Sequence, residues 1–129
     1  NIMVIDVGTC ITLDLTVGNA YLGGNISPGI NMRLRAMHAY TKSLPKVFAE
    51  GDVPELGTST ETAMRSGVLR GVSYEIEGTI SYFQKKFSNL KVYLTGGGAK
   101  ELHISNNIRT FADDFLVERG INEILKNLH

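Results

Sequence analysis

Met64, Val68, Val72, Ile76, Ile80, Phe83 and Phe87 recur at steps of four and three, which places them on one stripe of a single long helix. No other pattern in the chain restricts the fold as strongly. A helix with one apolar face must bury it against another layer. Glycines inside that helix, Gly67 and Gly71, each cost about 1 kcal/mol relative to alanine, so packing and not propensity has to hold it. Its start is expected at Thr58-Ser59-Thr60-Glu61, where Thr58 and Glu61 have capping-box spacing. Gly67 and Gly71 leave a flat strip beside the stripe. The strip suits either a helix of a second subunit or packing of this helix on its own sheet.

Segments with a period of two supply the layer to pack on. Ile2-Met3-Val4-Ile5 reads as a first strand, and in the second Ile11, Leu13 and Leu15 alternate with Thr12, Asp14 and Thr16. Turns at Asp6-Val7-Gly8-Thr9 and Val17-Gly18-Asn19-Ala20 separate these from a third strand, in which Tyr21 and Leu22 lead into Gly23-Gly24. A helix is expected from about Asn31 to Leu44, with Ile30, Leu34 and Met37 at helical spacing, and an irregular segment from Lys42 to Thr58. Val92-Tyr93-Leu94 is a buried strand, followed by a weak helix near Lys100 to Ile104, a strand at Phe115-Leu116-Val117 and a closing helix from Ile121 to Leu128. The order β-β-β-α-α-β-α-β-α predicts an α/β fold: a mixed sheet with an antiparallel three-strand meander and helices packed on it.

Composition narrows the function classes. Thirteen basic residues balance thirteen acidic ones, so bulk charge does not suit the chain for gripping nucleic acid or an anionic membrane. No apolar run reaches the roughly 20 residues of a membrane-spanning helix. Cys10 is the single cysteine, which precludes an intrachain disulfide; a cytoplasmic setting is expected, with Cys10 a small buried side chain. His38, His103 and His129 lack metal-ligand spacing, Lys85-Lys86 suits a helix C-terminus, and Asp113-Asp114 reads as a solvated loop pair. The chain opens inside an apolar run, Asn1-Ile2-Met3-Val4-Ile5, as a piece of something larger would.

Three glycine-rich corners could carry chemistry. In Asp6-Val7-Gly8-Thr9, glycine lets the backbone approach a ligand, turn amides and the Thr9 hydroxyl can meet phosphate oxygens, and Asp6 can hold an accompanying cation. The plainer alternative is a type I′ hairpin turn in which Asp6 bonds its own backbone. Thr95-Gly96-Gly97-Gly98-Ala99, between a strand and a helix, is either a nucleotide-approach corner or a flexible connection, and it matches neither a Rossmann fingerprint nor a P-loop. Gly23-Gly24-Asn25-Ile26-Ser27-Pro28-Gly29 is a third such corner, or simply a tight turn that starts a helix.

In order, Asp6-Val7-Gly8-Thr9-Cys10-Ile11-Thr12, the Gly23 to Gly29 corner, Thr58-Ser59-Thr60 leading to Gly67, and Leu94-Thr95-Gly96-Gly97 resemble the second half of type III pantothenate kinases. The resemblance implies a ribonuclease-H-like lobe of the acetate and sugar kinase, heat-shock chaperone and actin superfamily. It implies that residues 1–129 form the C-terminal lobe of a two-lobed kinase. The reaction implied is ATP-dependent phosphorylation of pantothenate to 4′-phosphopantothenate, the first step of coenzyme A biosynthesis. By the same resemblance Asp6 holds a monovalent cation, potassium or ammonium. Gly8, Thr9, Gly96 and Gly97 bind ATP, with magnesium accompanying it, and Thr60 contacts pantothenate. The family's Asp-x-Gly-Asn-type phosphate loop and its Gly-x-Asp-Arg motif, which carries the proposed general base, do not occur in the chain. No catalytic base is therefore expected here, and the chain alone is expected to be inactive.

The family resemblance also implies a homodimer. A different class of function, a non-catalytic accessory or transcriptional regulatory protein, is the alternative, together with another ATPase of the superfamily. Neutral charge and the lack of a helix-turn-helix pattern speak against direct DNA binding.

Overall fold

The computed structural model describes residues 1–105 and 108–112. Strands β1 (Ile2–Val7), β2 (Cys10–Val17) and β3 (Ala20–Pro28) form the meander. Helices α1 (Ile30–Tyr40) and α2 (Thr60–Lys86) follow, then β4 (Lys91–Thr95), a 3₁₀ turn at Ala99–Glu101 and β5 (Phe111–Ala112). The strands lie in the order β3-β2-β1-β4-β5. β1 runs antiparallel to β2 and parallel to β4, with Ile5 opposite Leu13 on one side and Leu94 on the other. This is the mixed α/β sheet expected, consistent with a ribonuclease-H-like lobe.

The strand period decides which face is covered. Met3, Ile5 and Val7, with Ile11, Leu13 and Leu15 and with Val92 and Leu94, enter one core with Met64, Val68, Val72, Ile76 and Ile80 of α2 and Ile30 and Leu34 of α1. The alternate residues, Val4, Asp6, Thr12, Asp14 and Tyr93, fall on the opposite face. Phe83 and Phe87 extend the stripe as half-buried residues at the rim of the core. A Cβ placed on Gly67, Gly71 or Gly78 would meet nothing within 4 Å. These glycines line the outer side of α2, so packing of the strip on the helix's own sheet is overturned.

Several boundaries move for identifiable reasons. The capping box is made by Ser59 and Thr62, not Thr58 and Glu61: the Thr62 amide donates to Ser59 Oγ (3.1 Å) and the Ser59 amide donates to Thr62 Oγ1 (3.1 Å). Glu61 is engaged instead by the Arg65 guanidinium one turn on (2.6 Å). Helix α1 stops at Tyr40, short of Leu44, with Thr41 extended and His38 Nδ1 donating to Leu44 O (2.8 Å). Pro45 follows and disfavours a helical Leu44. The third strand runs on to Pro28, because Asn25 and Ser27 continue the ladder opposite Leu13 and Ile11. The weak helix shrinks to the single 3₁₀ turn, and Cys10 is half-buried on the face away from the core. A strand at Phe111–Ala112 was not expected. The strand at 115–117, the helix at 121–128 and the Asp113-Asp114 pair lie outside the described residues.

The segment between the helices is held through its backbone. Buried Arg65 donates to Phe48 O (2.9 Å) and Asp52 O (3.2 Å). Arg70 donates to Pro54 O (2.9 Å) and Val53 O (2.8 Å), and Ser66 Oγ adds a bond to Pro54 O (2.7 Å). Two arginines and a serine of α2 thereby satisfy carbonyls that a strand or helix would otherwise engage. Among the described residues no helix is long and apolar enough to cross a membrane.

The stripe and the outer glycines should respond oppositely to substitution. Ile80→Ala, at a fully buried site, is expected to lower unfolding free energy by about 2–5 kcal/mol. Gly78→Ala, exposed within α2, is expected to raise it by about 0.5–1 kcal/mol. Urea unfolding of the two variants checks both signs.

Candidate functional site

The Thr95 to Ala99 corner and Gly29 meet around the β1–β2 hairpin, whereas Gly23 to Pro28 are neither a corner nor a tight turn but strand β3, with Gly23 and Gly24 opposite Leu15 and Asp14. Gly29 donates its amide to Thr9 O (3.0 Å), and Gly98 donates to Val7 O (2.9 Å) from the other side. A Cβ on Gly29 would stand 2.2 Å from Gly8 O and 2.4 Å from Thr9 O, so only glycine permits this approach. Gly96 adopts φ +97, and a Cβ there would lie 2.5 Å from both Asp6 Oδ1 and Val7 O. The hairpin is thus gripped by backbone from two directions. Neither Gly8 nor Thr9 has positive φ, which rules out the type I′ turn considered above. The Gly8 amide donates instead to Cys10 O (3.1 Å).

Beside the hairpin lies a cleft of about 370 Å³. Gly8 and Thr9 form one wall, Ile30, Asn31 and Met32 of the first turn of α1 another, and Gly97, Gly98 and Glu101 a third. Gly29 caps α1 without a side chain, so the first-turn amides of that wall bring the partial positive charge of a helix start to the cleft. Arg35, one turn beyond Asn31, also lines the cleft. Glu101 stands on the opposite wall. Burial, and then the nearby Glu50 carboxylate, raise its pKa above the ordinary carboxylate value. Backbone amides, a helix start and one guanidinium make a pocket suited to an anion with a polar body.

Asp6 approaches the same corner from the other face of the sheet, flanked in register by Thr12 and Thr95. Its Oδ1 and the Val7 carbonyl both border the spot that a Gly96 side chain would fill. One carboxylate and a neighbouring carbonyl are hard oxygen donors, and their low charge fits a monovalent cation. Among the described residues no group of three or more His, Cys, Asp or Glu could hold a metal ion. The structure therefore brings Asp6, Gly8, Thr9, Gly96 and Gly97 to one corner, with Gly97 in the cleft and Gly96 against Asp6. Thr60 does not join them: it is exposed on the first turn of α2 and does not line the cleft. Asn31, Arg35 and Glu101 went unmarked in the sequence. The i, i+4 spacing of Asn31 and Arg35 on a helix entered through a glycine corner was the available signal.

Residues 1–82 match the family model of type III pantothenate kinases. The chain belongs to that family. It is 48% identical to the type III pantothenate kinase of Phocaeicola vulgatus over 97% of its own length and 52% of the relative's, and equally so to that of Bacteroides fragilis. The Christiangramia forsetii enzyme is 40% identical over a similar span. This family member therefore spans about half the length of the curated relatives it matches. Among solved structures, a Campylobacter jejuni protein named for the Baf family of transcriptional activators superposes with a TM-score of 0.63 at 28% identity, covering 97% of this chain and 57% of that one.

A raised carboxyl in the cleft wall of this type III pantothenate kinase family member has a definite pH signature. The folded state holds the Glu101 proton more strongly than the unfolded chain, so the associated stability is complete below the ordinary carboxylate pKa. It is lost as pH rises through the raised value. Glu101→Gln removes that loss. Thermal unfolding from acid to neutral pH is expected to show the variant gaining on the parent as pH rises.

Proposed function

We propose that the chain is the C-terminal lobe of a type III pantothenate kinase and supplies half of its active site. The reaction is transfer of the ATP γ-phosphoryl group to the primary hydroxyl of pantothenate, giving 4′-phosphopantothenate. What supports this reading above all is the convergence of Gly29, the Thr95 to Ala99 corner and Asp6 on one hairpin, in a chain of this family. In this assignment the Thr9 amide and hydroxyl hold ATP phosphates, and Gly8, whose amide is engaged by Cys10 O, lets them approach through its lack of a side chain. Gly97 faces the nucleotide in the cleft, Gly96 borders it by letting its own loop close on Asp6 and Val7 O, and Thr60 meets pantothenate. Asp6 with Val7 O holds a potassium or ammonium ion, and magnesium accompanies ATP; both cations neutralise phosphate charge when bound. Phosphoryl transfer depends mainly on positioning and charge neutralisation, which rigid backbone donors supply at little reorganisation.

The general base is assigned to an N-terminal lobe, in keeping with a chain about half as long as its relatives. The working enzyme is read as a cytoplasmic homodimer, with the outer face of α2 around Gly67 and Gly71 as the natural place for close helix contact. The name of the Campylobacter jejuni relative favours a second reading, a transcriptional regulator. Balanced charge opposes it as a direct DNA binder.

The test is pantothenate-dependent ADP formation, measured for this chain alone and for the full-length protein. The full-length protein is expected to turn over, with potassium activation lost in Asp6→Asn, and the isolated chain is expected to be inactive. Normal turnover by the chain alone would sink the assignment of the base to the other lobe. A full-length protein with no pantothenate-dependent turnover would remove the kinase reading in favour of the regulator.

A further inference from the structure

Outside the glycine corners, a polar network that joins three elements of the fold centres on Glu75, midway along α2. Its two carboxylate oxygens each accept a bond from Arg33 Nη2 (2.9 Å and 2.9 Å), and Oε2 also accepts one from Ser27 Oγ (2.8 Å). Arg33 Nε donates to Pro28 O (2.8 Å), and the Arg33 amide donates to Gly29 O (3.0 Å). Ser27 and Pro28 end β3, Gly29 precedes α1, and Arg33 lies in the first turns of α1. The network therefore fastens both sides of Gly29 to the longest helix of the molecule. Gly29 is the residue whose amide holds Thr9 O and whose missing side chain lets the hairpin close.

We propose that Arg33 and Glu75 are positioning residues for the Gly8-Thr9 hairpin, acting through Gly29. The proposal rests on the kinase reading for the identity of the ligand, ATP. Neither side chain lines the cleft beside the hairpin, so their effect on nucleotide is exerted through the backbone they hold. Planar, two-point geometry is what the clamp uses: one guanidinium satisfies a carboxylate and a carbonyl at once, which a lysine ammonium on a flexible stem does not reproduce. Loss of the clamp leaves the donors of the cleft in place and loosens the corner that sets their spacing. The consequence falls on the nucleotide and spares pantothenate, which Thr60 meets elsewhere.

Arg33→Lys and Glu75→Gln, each conservative in volume, are made in the full-length protein together with the double variant. Ile80→Ala is the control, since it destabilises the fold without touching the clamp. Both single variants are expected to raise KM for ATP about 10-fold, in the range that small misplacements of binding groups produce. KM for pantothenate should stay within about twofold, and the double variant should be no worse than either single one, because the two residues act as a unit. Unchanged KM for ATP in the folded variants overturns the proposal, and so does an equal rise in Ile80→Ala. Direct ATP titration by calorimetry separates the two readings. A parent that binds ATP more tightly than the variants and yet fails to phosphorylate pantothenate overturns the kinase reading while the clamp stands. Equal ATP affinity in parent and variants overturns the clamp.

Discussion

Burial of the α2 stripe against one face of the central strands sets the conditions for everything else in the molecule. Val72 and Ile80 are fully buried, as are Met3, Ile5, Val7 and Val92 beneath them. Removing that apolar surface from water is the main favourable term in a domain of this size. Because strand side chains alternate, committing Met3, Ile5 and Val7 to this core obliges Asp6 to face the other way. The carboxylate is thus presented at the strand end, off the core, without any interaction of its own having to place it there.

With the core on one face, the chemistry is left to the turns at the strand ends. There the limiting factor is steric. Gly29 and Gly98 bring two chain segments into hydrogen-bond contact with Thr9 O and Val7 O, and any side chain at Gly29 would collide with the hairpin backbone. A corner built this way is rigid, and its amides are oriented before a ligand arrives, which is the arrangement that favours binding of developing or transferring charge. Polar side chains then hold the larger pieces in place. Arg33 and Glu75 tie α1 to α2, while Arg65 and Arg70 tie the long connection to the start of α2.

Much of this was legible in the residues. The stripe of α2 and the alternation of β2 fall directly out of their periods, and the Asp6 to Thr9 and Thr95 to Ala99 corners stand out as candidate phosphate sites by their glycines, while Gly23 to Pro28 read as a corner and form a strand. The long-range polar contacts were not legible. Arg33 and Glu75 are separated by 42 residues, and no local pattern joins them. The same holds for Arg65 and Phe48 O, since a side chain seeking a backbone carbonyl leaves no mark on the carbonyl's residue. The capping box lies one residue beyond the Thr58 and Glu61 spacing, with Glu61 engaged by Arg65, one turn away and buried.

The sequence by itself determined the types of the first three strands, the two long helices and β4, the apolar faces of β2 and α2, most of the positions where backbone could come close to a ligand, and the family. Those properties rest on local periodicity, on the missing side chain of glycine and on the motif order. Tertiary structure alone decided that Gly29 and the Thr95 to Ala99 corner converge on one hairpin, that Asp6 approaches it from the opposite face, that Thr60 stands apart, and that the glycines of α2 look outward. Each of these depends on which segments meet in space, and that is fixed by packing of the whole core and not by any stretch of neighbouring residues.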